Sequence, residues 1–256
     1  MQHWDGRSEN GRPSQIEVVA VIPDVLEFGR NGFGDELLRG AALTLMIAVL
    51  SFLIGLFLGQ LGAMAKLFGG PVPRFIANIY TTVIRAVPEL VLILLLFFAG
   101  TRGISALGVA LGYGPVDING TVAAILVLGF VQGAYSTEVI RGAIQAIPVG
   151  QLEAARAYGM SGTLIFRRII IPAMLPNAIP GLANLWLVVI KDTALITVTG
   201  ASSELAQVTK NAAGFTKRYF LFYFISGCIY LTMTLASNYL LGRLERRVRR
   251  GQPKLT

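Results

Sequence analysis

Long stretches without a single charge constrain this chain more than any other feature. Residues 41–65, 118–137, 169–190 and 219–242 contain no Asp, Glu, Lys or Arg. A helix needs roughly 20 apolar residues to cross the hydrocarbon core of a bilayer, and each run reaches that length. A fifth stretch, 75–101, is interrupted only by Arg85 and Glu89. Backbone N–H and C=O groups in lipid must be satisfied within the segment, so these spans are helices rather than open strands. The expected fold class is all-α: a polytopic membrane protein with about five transmembrane helices, near 41–65, 76–100, 118–140, 170–191 and 219–242. Residues 1–36 then form a partly disordered tail, 37–245 the transmembrane domain and 246–256 a basic tail.

Composition agrees. Charged residues make up 14% of the chain and hydrophobic residues 54%, whereas a soluble domain carries roughly 25% charged residues. The net charge is +8. In a soluble protein such an excess suggests nucleic acid; in an apolar chain it marks loops on the cytoplasmic side. No nucleic-acid partner is expected, and membrane lipid is. The one Cys, Cys228, lies inside an apolar run, and the one His, His3, lies in the N-terminal tail. A Cys/His metal site, a Cys–His pair and a Ser-His-Asp triad therefore lack parts, and no metal or catalytic residue is assigned.

Orientation follows from the loops. With five spans and the N-terminus outside, twelve of the 22 cations fall on the inner side. The C-terminal segment decides it, because Arg243, Arg246, Arg247, Arg249 and Arg250 crowd one helix end. The first 39 residues have no continuous apolar core and are not expected to be a secretory signal, so the first span is expected to be the insertion signal. Residues 193–203 are apolar or small but too short to span, which suits either a re-entrant segment or an ordinary loop helix.

Charges within spans are costly and are candidates for function. Arg85 and Glu89, four residues apart, fall on one face of a continuous helix, and Pro88 between them favours a kink. They form either a structural ion pair or a site for a zwitterion, whose carboxylate needs a cation and whose ammonium needs an anion. Glu138 is a further carboxylate for a cationic side chain, or the i,i+3 partner of Arg141. The fourth span carries Pro172, Pro176 and Pro180, with Asn177 and Asn184 on nearly the same stripe as Ala173 and Gly181. That stripe suits helix packing or the lining of a pathway. Lys191 and Asp192 close the span as a solvated ion pair or an outer gate.

The loop 143–172 carries the most specific pattern. Pro148 ends the preceding helix, and a short helix is expected over 151–158 with Glu153 in its first turn. Gly159 stops it in a left-handed conformation, and Ser161 caps the next helix. Leu152, Ala154, Ala155 and Tyr158 make an apolar face too small for a core and shaped to enter a groove on another protein.

Glu153-Ala154-Ala155, then Gly159, Ile169, Ile171 and Pro172, resemble the EAA signature of importer-type ABC permeases. That signature runs EAA, three residues, Gly, nine residues, Ile, one residue, Leu, Pro; Ile171 stands where the family has Leu. Three further stretches resemble its polar amino acid branch, the permeases for histidine, arginine and opines. They are Thr82-Val83-Ile84-Arg85-Ala86-Val87-Pro88-Glu89-Leu90, Gly133-Ala134-Tyr135-Ser136-Thr137-Glu138-Val139-Ile140-Arg141-Gly142 and Lys191-Asp192-Thr193. Ala86 occupies a position where the family more often has Gly. The resemblance covers about residues 25–245. It implies the permease fold, a bacterial inner-membrane location and transport of polar or basic amino acids or opines. It also implies a second permease subunit, expected as a heterodimer, two ATPase subunits and an outer solute-binding protein. The chain has no G-x-x-x-x-G-K-[ST] motif to hold nucleotide phosphates, so ATP and Mg would be bound by the ATPase, and the loop would carry its motion to the spans. An ion-coupled secondary transporter using Arg85, Glu89 and Glu138 and a membrane-embedded enzyme are the rival classes; neither an internal repeat nor a nucleophile–base pair supports them.

Overall fold

The computed structural model describes Glu27 and residues 32–248. The expected disordered segment 1–20, His3, and the tail cations Arg249, Arg250 and Lys254 lie outside the described residues. All regular structure among the described residues is helical. The elements are α1 (Gly34–Phe68), α2 (Pro71–Ala86), α3 (Glu89–Ala110), α4 (Gly120–Gln145), α5 (Val149–Ala157), α6 (Gly162–Ile165), a π turn (Phe166–Ile170), α7 (Ile171–Asp192), a 3₁₀ segment (Thr193–Thr199), α8 (Leu205–Thr216) and α9 (Tyr219–Val248). Five of the helical stretches are long and apolar enough to cross a membrane: Gly34–Phe68, Glu89–Ala110, Gly120–Gln145, Gly162–Thr199 and Tyr219–Val248.

The centre of the fold is the pair α1 and α4. Small residues let the two backbones approach. A Cβ at Gly59 would stand 2.4 Å from Cβ of Ser136, and one at Gly55 would stand 2.7 Å from Cβ of Gln132. Ile47 and Leu128 are buried at this contact together with Ile93 and Ile196, so α3 and the 3₁₀ segment close over it. Gln132 Nε2 donates to the Leu185 carbonyl at 2.9 Å, and a Cβ at Gly181 would press on Val139. These two contacts set α4 and α7 antiparallel. Leu37, Leu205, Val208 and Phe222 form a second core where α8 and α9 meet the start of α1.

The second span differs from its expected course. Residues 76–100 are not one helix. Val87 is extended at φ −95°, ψ 141°, and Pro88 follows at ψ 132°. The proline ring disfavours helical backbone at the residue before it, so the chain breaks here rather than kinking. The spanning helix begins at Glu89, and the preceding helix is the shorter α2. Arg85 and Glu89 therefore sit on different helices, and the i,i+4 ion pair does not form; the carboxylate in ion-pair range of Arg85 is Glu138.

The fourth span also starts earlier than expected. From Gly162 to Thr199 the chain is continuously helical, although Pro176 and Pro180 lie inside α7. Just before Pro172 the winding widens, and the N–H of Ile171 donates to the carbonyl of Phe166. A wider turn relieves the clash between a proline ring and the preceding turn. Within the segment 193–203, Thr193–Thr199 continues α7 as a 3₁₀ turn, which Gly200 ends at φ +67°.

Candidate functional site: a docking loop below two charge clusters

The short helix α5 begins at Val149 with Pro148 at its N-cap. It starts two residues earlier than expected, so Glu153 lies in its second turn and not in its first. Its end is a Schellman turn: Met160 N–H donates to the Ala155 carbonyl at 3.1 Å and Gly159 N–H to the Arg156 carbonyl at 2.9 Å. Gly159 has φ +71°, a conformation a side chain resists. Ser161 stands at the N-cap of α6 without a side-chain capping bond.

The expected apolar face divides in two. Ala155 is buried among Ile144, Ile147, Ile165, Ile170 and Met174, with Leu152 and Ile169 packed at the edge. Glu153, Ala154, Arg156 and Ala157 are exposed, and Tyr158 is 88% exposed. Pro172 is exposed as well. One alanine therefore anchors the helix to the ends of α4 and α7, while its other face is exposed among the described residues.

Above the loop, α4 carries Arg141, Glu138 and Tyr135 at one-turn spacing, so they share a face. Glu138 is a hub for three cations. Lys66 Nζ, from the last turn of α1, donates to Oε1 at 2.5 Å. Arg141 donates from Nε at 3.0 Å and from Nη2 at 2.8 Å to Oε2. Arg85, from the end of α2, stands at 4.0 Å from Oε2. Of the two expectations for Glu138, the Arg141 partnership is the one the structure forms.

Farther from the loop, the side chains of Glu89 and Asp192 are neighbours. Glu89 opens α3, Asp192 closes α7, and both are half-buried. Tyr135 lies within electrostatic range of Glu89, Asp192 and Arg85. Two carboxylates this close repel unless a proton or a cation lies between them. Asp192 thus turns toward Glu89, and the neighbouring Lys191 is exposed. Asn177 and Asn184 are exposed on α7, outside both clusters. Lys66 and Tyr135 are additions that the sequence does not single out. Tyr135 had a signal, its one-turn spacing from Glu138 in a span; Lys66 had none, because only folding brings the end of α1 to α4.

Comparison with known proteins bears on this arrangement. Residues 51–250 match the family described as binding-protein-dependent transport system inner membrane component. The chain is 41% identical over 216 residues to the histidine/lysine/arginine/ornithine transport system permease protein HisQ of Escherichia coli (strain K12), covering 84% of this chain and 94% of that protein. It is 40% identical over 229 residues to the nopaline transport system permease protein NocQ of Agrobacterium fabrum (strain C58 / ATCC 33970), covering 89% and 97%. Among solved structures, an amino acid ABC transporter with histidines superposes with a TM-score of 0.72 at 32% identity, covering 84% of this chain and 95% of that one.

Proposed function

Because this chain belongs to the binding-protein-dependent transport system inner membrane component family, we propose that it is the permease subunit of an ATP-binding-cassette importer for polar amino acids, basic ones above all, or opines. The observation that carries the solute class is the pairing of Glu89, at the start of α3, with Asp192, at the end of α7, with Tyr135 and Arg85 in electrostatic range of one another. A half-buried acid pair welcomes a cationic side chain, and a nearby guanidinium welcomes a carboxylate. The names of the relatives point the same way. Glu89 and Asp192 are the proposed cation contacts, Arg85 the carboxylate contact, and Lys191 the outer rim. Asn177 and Asn184 extend the path along α7, and Glu138 orders the inner end.

Energy enters through the exposed face of α5. Glu153, Ala154 and Gly159 dock on an ATPase subunit, while Ala155, Ile169 and Pro172 join that contact to α4 and α7. Two such subunits, a second permease chain of different sequence and an outer solute-binding protein complete the machine. ATP and Mg bind to the ATPase, and this chain catalyses no reaction. It lies in a bacterial inner membrane with the N-terminus outside and the Arg243–Arg247 end in the cytoplasm. Alternating exposure of the midplane site to the two sides moves the solute.

The deciding experiment is uptake by proteoliposomes containing the assembled complex. Labelled arginine, histidine or an opine accumulates when ATP is enclosed and the binding protein is present, and an ionophore leaves the rate unchanged. Uptake that stops with the ionophore and ignores ATP would overturn the reading in favour of an ion-coupled carrier.

A further inference from the structure

The last helix is long enough to reach both surfaces of a bilayer. The 30 residues of α9 extend about 45 Å at helical rise, which matches the roughly 40–45 Å of a bilayer with its headgroups. Both ends are basic. Arg243, Arg246 and Arg247 stand at one end, and Lys217 and Arg218 immediately precede Tyr219 at the other. Cations gather on the cytoplasmic side of membrane proteins, so whichever way the chain faces, one of these clusters runs against that bias. Among the described residues no carboxylate lies in ion-pair range of Lys217 or Arg218, because the salt bridges converge on Glu138. Asp35 and Glu36, in the first turn of the neighbouring α1, are not their partners, and residues 205–244 contain no acid at all. The turn is held firmly. Phe215 and Phe222 both pack on Phe33, with ring centroids 6.0 and 5.6 Å apart, and Arg218 N–H donates to Thr216 Oγ1 at 3.3 Å. Lys217 is the one non-glycine residue among those described with a positive φ, +60°, a conformation that favours glycine. Just beyond it, Tyr219, Phe220, Tyr223 and Phe224 are all exposed, and Phe220 and Phe224 stack on each other.

We propose that the turn between α8 and α9 binds the phosphate headgroup of an anionic phospholipid, with Lys217 and Arg218 as its contacts and the Phe220, Tyr223 and Phe224 face as the bed of its acyl chains. A tyrosine settles at the headgroup level, its ring toward the apolar side and its hydroxyl toward water. Tyr219 and Tyr223 thus set the depth of the two cations that precede them. At that depth the anion at hand is a lipid phosphate, and basic residues next to a membrane are drawn to anionic lipids. The guanidinium fork of Arg218 suits two phosphate oxygens, and Lys217 adds a point charge. A free anion would neutralise the cations but leave the aromatic face bare. An acidic protein surface would do the same. A phospholipid is the one molecule that satisfies both features together. Through Phe33 the bound lipid would tie the start of α1 to this end of α9. The inference uses neither the solute nor the orientation of the chain, so it stands or falls apart from the proposed transport activity.

The test reconstitutes the assembled complex in vesicles that contain a photoreactive phosphatidylglycerol or, at the same fraction, a phosphatidylcholine with the same photoreactive acyl chain. After illumination, mass spectrometry maps the crosslinks on this chain. Phosphatidylglycerol is expected to label residues 219–224 roughly tenfold or more above phosphatidylcholine, since each cation near an anionic surface contributes about fivefold. Lys217→Gln with Arg218→Gln brings the ratio close to one and leaves phosphatidylcholine labelling unchanged. Lys217→Gly suits the left-handed backbone, so the complex melts no lower, yet the ratio falls about fivefold; this variant separates loss of the lipid from loss of the fold. Equal labelling by the two lipids in the unmodified complex overturns the inference, as does labelling of these residues by neither lipid. An undiminished ratio in the double variant overturns it too. Inorganic phosphate that erases the preference, where chloride of equal ionic strength does not, shows a free-anion site and overturns the lipid assignment. Equal labelling combined with weaker capture of the solute-binding protein by the double variant gives the turn to an acidic protein surface and likewise overturns it.

Discussion

Glu204 shows how much a single residue can carry in this fold. It is fully buried and caps α8 by accepting N–H bonds from Ala206 and Gln207, each at 2.8 Å. Hydroxyls of Thr44, Thr197 and Tyr230 donate to it as well. No cation is needed, because the donors and the positive end of the helix dipole stabilise the charge. Glu204→Ala would strand these donors at about 1–3 kcal/mol for each one left without a partner. The expected result is a lower melting temperature in detergent and a poor yield of monodisperse protein, with a smaller loss for Glu204→Gln. Asp192→Asn acts on function instead. It removes the carboxylate that would pair with the solute's cation, and a charged hydrogen bond contributes about 1.5–3 kcal/mol. Binding of basic amino acids should weaken roughly 10- to 100-fold, while complex assembly and basal ATPase activity stay at the unmodified level; unchanged affinity would remove Asp192 from the path. Sequence marked Asp192 by its place at a span end. It did not mark Glu204, whose burial arises only when α1, α8 and α9 converge.

At the scale of elements, two local rules make the functional parts. Gly59 allows α1 and α4 to touch, and Gly59→Leu would drive its side chain into Ser136 and the α4 backbone. Overpacking of this kind costs about 1–3 kcal/mol; thermal unfolding in detergent would register the loss, with Gly70→Ala, where nothing lies within 4 Å, as the silent control. Gly159 ends α5 at φ +71°, so Gly159→Val strains the turn and re-aims the exposed face. Together with Glu153→Lys it should abolish ATP-driven uptake while leaving the chain inserted and folded. Uptake by both variants at the unmodified rate would remove the loop from energy coupling. Four of the five spans were legible from charge-free runs, and the end of α5 from Gly159; α2 and α8 were not. The break at Val87–Pro88 was half legible: proline announced a disturbance, but whether a helix kinks or divides depends on where its two halves find packing partners. Here Ile84 and Leu92, on either side of the break, are both buried against Val131 and Ala134 of α4. The widened turn before Pro172 had no signal beyond the proline.

For the whole molecule, the proposed orientation has a direct check. With Cys228 replaced by Ser, a single Cys at Lys254 should react with a membrane-impermeant maleimide only in inside-out vesicles, and one at Glu9 only in intact spheroplasts; the reverse pattern would invert the topology. The exposed apolar residues of the spans, such as Phe57, Leu95 and Leu235, need lipid or a second permease chain as their solvent. What the sequence determined by itself was everything set by local composition and spacing: a five-span helical membrane protein, the loop with its EAA pattern, and the charges that deserve mutation. Tertiary structure alone decided their company. Arg85 left Glu89 for the neighbourhood of Glu138, Glu89 met Asp192 across more than a hundred residues of chain, and Lys66 and Tyr135 joined the site. The physical reason is that a span is specified by transfer of its own side chains into lipid, whereas a buried charge is specified by whichever partner the packing of distant helices delivers to it.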